Sequence, residues 1–254
     1  MATTEVVTFA FYYELIGGIF LVIISILLFG RYFDRKRNAT LYLSLAVLSL
    51  GIGVIVTGLG RLFALFEGIT AAYHGYQYTP FVWIALALTL NVVGDIFFLL
   101  FINDVFYESN KKFAVFVIIL GGILALLQGI LIPTPVIVPA TSEPVQLYID
   151  MFQVIWLGHA LFTFATGGIV IYSTLKFSRK DRPLVEKRGL QLISVLGFGL
   201  ALTNIMFIID EFMTPYFGGN FSIFYYLAWV CAYVGIIFAY LGFVLPNWLR
   251  KRWE

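Results

Sequence analysis

The stretch RYFDRKRNATLYLSLAVLSLGIGVIVTGLGRLFAL, residues 31–65, decides the fold of this chain. It begins with four basic residues within seven positions and continues from Thr40 to Leu65 as an apolar run that contains one charged residue, Arg61. A hydrocarbon core of about 30 Å needs about 20 apolar residues in a helix. The segment therefore predicts a basic turn at one membrane face, followed by a membrane-spanning helix over residues 40–65.

The same pattern recurs along the whole chain. Further apolar runs predict spans at residues 9–31, 80–103, 113–133, 147–175, 189–212 and 221–246. The composition agrees, with 61% hydrophobic residues, 12% charged residues and a mean hydropathy of +0.95, whereas a soluble domain is about one quarter charged. We expect an all-α, polytopic bundle of seven transmembrane helices that forms a single integral membrane domain over residues 1–254.

The distribution of positive charge predicts the orientation of the bundle. Of the 16 Lys and Arg residues, 15 lie at one predicted face. They are Arg31, Arg35, Lys36, Arg37, Lys111, Lys112, Lys176, Arg179, Lys180, Arg182, Lys187, Arg188, Arg250, Lys251 and Arg252. Basic residues mark cytoplasmic loops, so we expect the N-terminus outside and the C-terminus in the cytoplasm. We expect an integral protein of the plasma membrane. Because the basic residues flank its spans, they do not indicate a nucleic-acid partner.

Two segments of the chain look alike. Residues 50–53 read Leu-Gly-Ile-Gly with Thr57 four positions later, and residues 196–199 read Leu-Gly-Phe-Gly with Thr203 four positions later. This similarity predicts a parallel duplication of three spans, with span four as the link. The alternative is coincidence among glycines and apolar residues, which are common in membrane helices. In either case, small residues allow neighbouring helix backbones to approach closely.

Polar residues within the spans concentrate, by predicted depth, in the outer half of the bundle. Such residues cost at least a few kcal/mol each in lipid and usually face the bundle interior or water. We therefore predict an outward-facing polar cavity that binds a small ligand. The predicted ligand-binding residues are Glu14, Arg61, Asn91, Asp95, Gln153, His159, Asn204 and Asp210.

Arg61 is the predicted electrostatic centre of this cavity. A guanidinium at that depth needs an anion, and Glu14, Asp210 and an anionic ligand are the candidates. One alternative is an ion pair that only joins helices, and another is a side chain that extends to the surface.

Asn91 and Asp95 lie four residues apart, on one face of span three. Asp95 is the most deeply placed acid, which suggests a proton or cation site. The alternative is a hydrogen-bonded carboxyl that fixes helix packing. His159 is a lone histidine within span five, and the commoner role of such a residue is a hydrogen bond between helices.

The chemistry of most membrane enzymes is absent from the sequence. One cysteine, Cys231, excludes an intrachain disulfide and a thiolate metal cluster. Two histidines cannot supply the four ligands of a two-haem bundle. The sequence contains no HExxH, Gly-x-Ser-x-Gly or phosphate-loop motif. We therefore expect no enzymatic activity, no cofactor and no metal.

Seven spans with this topology resemble the rhodopsin-like architecture, but residues 221–246 contain no lysine that could bind retinal. The tract YLGFVLPNWLR, residues 240–250, is similar to the end of the seven-helix sensor module found at the N-terminus of many prokaryotic membrane histidine kinases. In those proteins a cytoplasmic signalling domain follows. The resemblance implies that a chain ending at Glu254 would signal through a separate cytoplasmic partner, which would touch residues 176–188 and 247–254.

These observations favour a membrane receptor or sensor module that binds a small, anionic ligand in its outer half. A first alternative is a small-solute or proton-coupled transporter with Asp95 as its coupling site. A second alternative is a structural or assembly protein of the membrane that binds no small ligand.

Overall fold

The structure, a computed structural model, describes residues 4–74, 79–131, 143–217 and 222–253, with side chains described at 8–34, 36–63, 83, 85–129, 154–210 and 222–253. The described ranges contain helices and no strand. The helices are α1 Thr4–Arg35, α2 Asn38–His74, α3 Thr79–Phe106, α4 Lys111–Leu131, α5 Glu143–Ser178, α6 Leu184–Phe217, α7 Ile223–Val244 and α8 Asn247–Lys251. Seven of them are long and apolar enough to cross a membrane, which confirms the predicted all-α seven-span class.

Two details at the predicted inner side differ from the sequence expectation. The predicted loop 176–188 is shorter, because α5 continues to Ser178 and α6 begins at Leu184. The backbone carbonyl of Pro183 accepts the first bond of α6 from the Lys187 amide at 3.1 Å, and proline is well suited to a helix start because it has no N–H to leave unpaired. Leu245, with a positive φ of 45°, ends α7. Within residues 247–254, which the sequence analysis assigned to a cytoplasmic partner, Asn247–Lys251 form the short helix α8.

The helices form two groups of three that close into one bundle. Helix α2 packs against both α1 and α3, and α6 packs against both α5 and α7. Contacts of α3 with α5 and of α1 with α7 join the groups. Helix α4 is peripheral: 17% of the residues in its most apolar segment are buried, against 39% to 56% in the corresponding segments of the other spans. The orientation across the membrane stays a prediction, and "outer" and "inner" below denote the predicted sides.

Close backbone contact at glycines holds each group together. A Cβ atom on Gly51 would lie 3.2 Å from the Gly18 carbonyl oxygen of α1. In the other group, a Cβ atom on Gly197 would lie 2.5 Å from the Gly167 carbonyl oxygen of α5. Larger side chains would therefore push these helices apart, and the van der Waals packing that replaces the hydrophobic effect in lipid would be lost.

The two similar segments also make similar local bonds. Thr57 donates to the Gly53 carbonyl at 3.0 Å, and Thr203 donates to the Gly199 carbonyl at 2.7 Å. Both hydroxyls thus bond within their own helix, and Thr203 also lies within bonding distance, 3.0 Å, of the Ala228 carbonyl of α7. The duplication of the chain stays a prediction from the sequence.

Candidate functional site

Arg61 lies in a closed cluster with Glu14 and Tyr225, which we call the arginine cluster. Its Nε donates to both carboxylate oxygens of Glu14, at 3.2 and 3.3 Å, and its Nη2 donates to the Tyr225 hydroxyl at 3.1 Å. The Tyr225 hydroxyl in turn donates to Glu14 Oε1. The cluster therefore joins α1, α2 and α7 by a buried ion pair with a shared phenol.

The surroundings of the arginine cluster hold it in place. The Arg61 guanidinium lies 5.5 Å from the centroid of the Tyr225 ring, within the range of a cation–π interaction. The Tyr225 ring contacts Phe207 on α6, with ring centroids 5.7 Å apart. A Cβ atom on Gly58 would lie 3.3 Å from Glu14 Cβ, so this glycine lets α2 approach α1 at the level of the carboxylate. The structure thus gives Arg61 a partner that the sequence had left open among three candidates.

A second set of buried polar side chains is carried by α3, α4 and α5, and we call it the central cluster. Its residues are Asn91, Asp95, Gln128, His159 and Thr163. The Thr163 hydroxyl donates to Asp95 Oδ2 at 2.5 Å, which joins α3 to α5. Asp95 is 1% exposed, and its Oδ1 has no hydrogen-bond partner among the described residues. No ion pair of Asp95 is present within the described ranges.

His159 lies one turn before Thr163 on α5 and is 6% exposed. One turn corresponds to about 6 Å of rise toward the outer side. His159 Nδ1 has no hydrogen-bond partner in the part of the chain that the structure describes. The central cluster therefore extends outward from Asp95 along the face of α5 that meets α3.

Gln128 is the residue that α4 contributes to the central cluster. A Cβ atom on Gly158 would lie 3.5 Å from Leu124 Cδ1, which places Gln128, one turn beyond Leu124, about 6 Å further toward the outer side. Gln128 is fully buried, and neither its Oε1 nor its Nε2 has a partner among the described side chains and backbone. Helical side chains lean toward the N-terminus of their helix. Because α4 and α5 are antiparallel, Gln128 and His159 lean toward each other.

Asn91 is placed between α2 and the bundle interior. Its Oδ1 would lie 2.7 Å from a Cβ atom on Gly53, and it has no hydrogen-bond partner within the described ranges. Asn91 is one turn outward of Asp95 on the same helix face, which is the arrangement that the sequence predicted.

The remaining predicted ligand-binding residues have other surroundings. Asn204 is buried and its Nδ2 donates to the Leu200 carbonyl of its own helix at 3.0 Å. Asp210 is buried and its Oδ1 accepts from the Ser222 amide at 2.8 Å, just before α7 begins. Gln153 lies outside the residues whose side chains are described. A single cavity shared by all eight predicted residues stays a prediction.

Sequence reasoning missed Tyr225 and Thr163, and it left Gln128 out of the ligand-binding set. Tyr225 is one of 15 tyrosines, and nothing in its sequence position distinguishes it from the others as a partner of Arg61. Thr163 could have been found, because it follows His159 by four residues just as Asp95 follows Asn91. Gln128 could also have been found, because it is the one polar side chain in the apolar run from Phe113 to Leu131.

Comparisons of this chain with protein-family models, with curated proteins and with solved structures find no match.

Proposed function

We propose that the chain is a membrane sensor that binds a small polar ligand in the central cluster and signals through a cytoplasmic partner. One observation carries this proposal: Asn91, Asp95, Gln128 and His159 each place a buried polar atom without a partner among the described residues. A buried donor or acceptor that lacks a partner costs about 1–3 kcal/mol. A ligand with complementary groups would remove that cost when it binds.

The arginine cluster is not the ligand site in this proposal. Its charges compensate one another, and an anionic ligand would have to compete with Glu14 for Arg61. We therefore replace the expected anion-binding role of Arg61 by a structural role, in which the ion pair joins three helices. The ligand-binding role passes to the central cluster.

Helix α5 offers a route from the central cluster to the inner side. It carries His159 and Thr163 near its middle, and its inner end leads into the basic residues that precede α6. Near that end Ser173 Oγ and Tyr107 OH lie 2.9 Å apart, so α5 is hydrogen-bonded to α3 at the cluster and to the residue that follows α3 near the inner side. A ligand that binds two arrangements of α3 and α5 with different affinity would shift the inner end of α5.

The first test is a thermal-stability screen of the protein in lipid nanodiscs against small amines, organic acids, sugars and other polar metabolites. A ligand that binds the folded state raises the apparent melting temperature by mass action. We expect a hit whose effect is lost in Asp95→Asn and retained in the matched control Thr166→Val. Thr166 is buried on α5, the helix that carries Thr163, and its hydroxyl bonds to the Phe162 carbonyl of its own helix.

The second test reports on the inner side. A fluorophore on Asp181→Cys, in a Cys231→Ser background, should change its emission when the hit binds. The same label on Lys36→Cys, in the α1–α2 turn, should not respond. A hit that leaves the label at 181 silent would contradict signalling through α5.

A carrier is the second candidate function, because Asp95 is a carboxyl near the middle of α3 with no ion pair in the described ranges. The carrier hypothesis predicts flux of the hit, or of protons, into liposomes and loss of that flux in Asp95→Asn. A screen without hits on a monodisperse protein, together with a silent label, would instead favour a structural or assembly role.

A further inference from the structure

We infer that the ligand of the central cluster is a small primary ammonium ion, and not the anion that Arg61 suggested. This inference rests on the proposed function, because it names the chemical class of the ligand at the same site. It depends on three properties of the cluster: its burial, its balance of acceptors and donors, and its missing positive charge.

The site is built from buried side chains on three helices. Asp95, Gln128 and His159 are all more than nine-tenths buried, and each has at least one polar atom without a partner among the described residues. Other buried polar side chains of α5 and α6 bond to a carbonyl of their own helix, as Thr174 and Ser194 do. Buried polar atoms of Thr40, Asn103, Trp229 and Tyr233 also lack a partner among the described residues, but the open atoms of the central cluster include a carboxylate oxygen, that of Asp95.

The open atoms are mostly acceptors. Asn91 Oδ1 and Gln128 Oε1 can only accept hydrogen bonds, Asp95 Oδ1 only accepts when the carboxyl is ionised, and His159 Nδ1 accepts in one of its two neutral tautomers. Gln128 Nε2 is the one open group in the cluster that can only donate. A complementary ligand therefore carries several N–H or O–H donors and few acceptors.

The cluster also lacks a cation. Asp95 is the acidic residue of the cluster, and α3 contains no Lys or Arg. The basic residues of α4 and α5 lie at the inner ends of these helices and are Lys111, Lys112 and Lys176. The nearest candidate by depth, Arg61, is bonded to Glu14 and Tyr225. An ionised carboxylate in a low-dielectric interior needs a positive partner. A ligand that is cationic and rich in donors meets both requirements.

The spacing limits the size of the ligand. Asp95 and Thr163 lie at one level, His159 lies one turn outward, and Gln128 lies about one further turn outward. Two turns correspond to about 11 Å between helix positions, and side chains that lean into that space shorten the distance. Because the Asp95 and Gln128 side chains lean toward each other across this space, an ammonium group between them could donate to both, with a short alkyl chain beside it.

The peripheral helix α4 supplies an entrance. Its outer end meets α3 through ordinary contact, since a Cβ atom on Gly129 would lie 3.8 Å from Thr89 Oγ1, its nearest neighbour among the described residues. A displacement of α4 from α3 and α5 would expose Gln128 first and His159 next. A disulfide between Thr89→Cys and Gly129→Cys should therefore block binding, and reduction should restore it.

The decisive experiment measures apparent affinity in nanodiscs by thermal stability, with methylammonium and propylammonium chloride as probes. Tetramethylammonium chloride has the same charge without N–H donors, sodium chloride controls for ionic strength, and sodium acetate tests an anion. We expect the primary ammonium salts alone to stabilise the protein. Asp95→Asn should weaken propylammonium at least about tenfold, as expected for loss of a charge-assisted contact.

Gln128→Leu should weaken propylammonium by about three- to tenfold, through loss of one neutral hydrogen bond, and Thr166→Val should stay within about twofold. Gln128 lies on the peripheral helix, so this variant carries the test if Asp95→Asn does not fold. Equal stabilisation by tetramethylammonium, or no Asp95-dependent effect of any ammonium salt because water alone fills the site, would overturn the inference. An Asp95-dependent effect of acetate would overturn the ammonium and leave the sensor proposal intact.

Discussion

The arginine cluster and the central cluster are two buried polar groups in one bundle, and they differ in whether their bonds are complete. In the first, Glu14, Arg61 and Tyr225 donate to and accept from one another. In the second, one bond joins Thr163 to Asp95, and other polar atoms remain open among the described residues. The difference teaches that burial alone does not mark a ligand site in a membrane protein, because a buried charge can be fully used by the fold.

The packing around the arginine cluster is also tighter than the packing around the central cluster. The arginine cluster lies about one turn from the point where α1 and α2 touch backbone to backbone at Gly18 and Gly51. The central cluster is covered by α4, the least buried of the spans. A closed group in a tight interface suits a structural role, whereas an open group beneath a peripheral helix suits exchange with a ligand. The predictions below test this contrast.

The largest expected effect is on stability and comes from Arg61→Met. The change leaves the Glu14 carboxylate buried without its cation, which costs about 3–5 kcal/mol when a buried pair is broken. The measurement is the thermal denaturation midpoint in nanodiscs. The double variant Glu14→Gln with Arg61→Met should be more stable than Arg61→Met alone, because it removes the unpaired charge. A double variant that is as unstable as the sum of the two single changes would show that the ion pair is not the coupling between these positions.

The next effect separates the tight interface from the loose one. Gly18 lies one turn from Glu14, and a Cβ atom there would lie 2.5 Å from Ile55 Cγ1 and 2.9 Å from the Gly51 carbonyl oxygen. We expect Gly18→Ala to destabilise the protein by about 1–3 kcal/mol through overpacking. The matched change Gly129→Ala, next to Gln128 on α4, should be neutral or slightly stabilising, since alanine favours the helix. Equal losses at both glycines would mean that α4 is held as firmly as α1.

The sequence was sufficient for the architecture because hydropathy and the position of basic residues are properties of whole segments. The seven spans follow from runs such as 40–65, and the structure confirms their number and type. The faces of the helices were harder to read. Lipid and bundle interior are both apolar, so a residue such as Val154, which is exposed, and Ile155, which is buried, look alike in the sequence.

The partners of polar residues needed the third dimension for the same reason. Predicted depth put Glu14, Asp210 and Arg61 at one level of the membrane. That Arg61 pairs with Glu14 depends on which helix lies beside α2 and on which turn of that helix faces Arg61. The pair Asn91 and Asp95 was visible by its spacing of four residues, as was the pair His159 and Thr163. The contact between these two pairs depends on α3 meeting α5, which no spacing within one helix reveals.

The smallest effect tests whether the open atoms of the central cluster are open in the folded protein without ligand. Gln128→Leu replaces a buried amide, for which the described residues offer no partner, by an apolar side chain of similar volume. We expect it to raise the free energy of unfolding by about 1 kcal/mol, since removal of an unsatisfied polar group is favourable. The matched change Asn204→Leu should lower it by about the same amount, because Asn204 bonds to the Leu200 carbonyl.

A loss of stability in Gln128→Leu as large as that in Asn204→Leu would mean that Gln128 already has a partner, and the contrast between the two clusters would fail. A gain in stability joined to weaker binding of propylammonium would be the combination expected of a binding site. Residues that serve a ligand are often unfavourable for the fold on its own, because their hydrogen bonds are completed only when the ligand is present. In the arginine cluster a single substitution of Glu14 or Arg61 is expected to remove stability, because it breaks the ion pair that joins the helices.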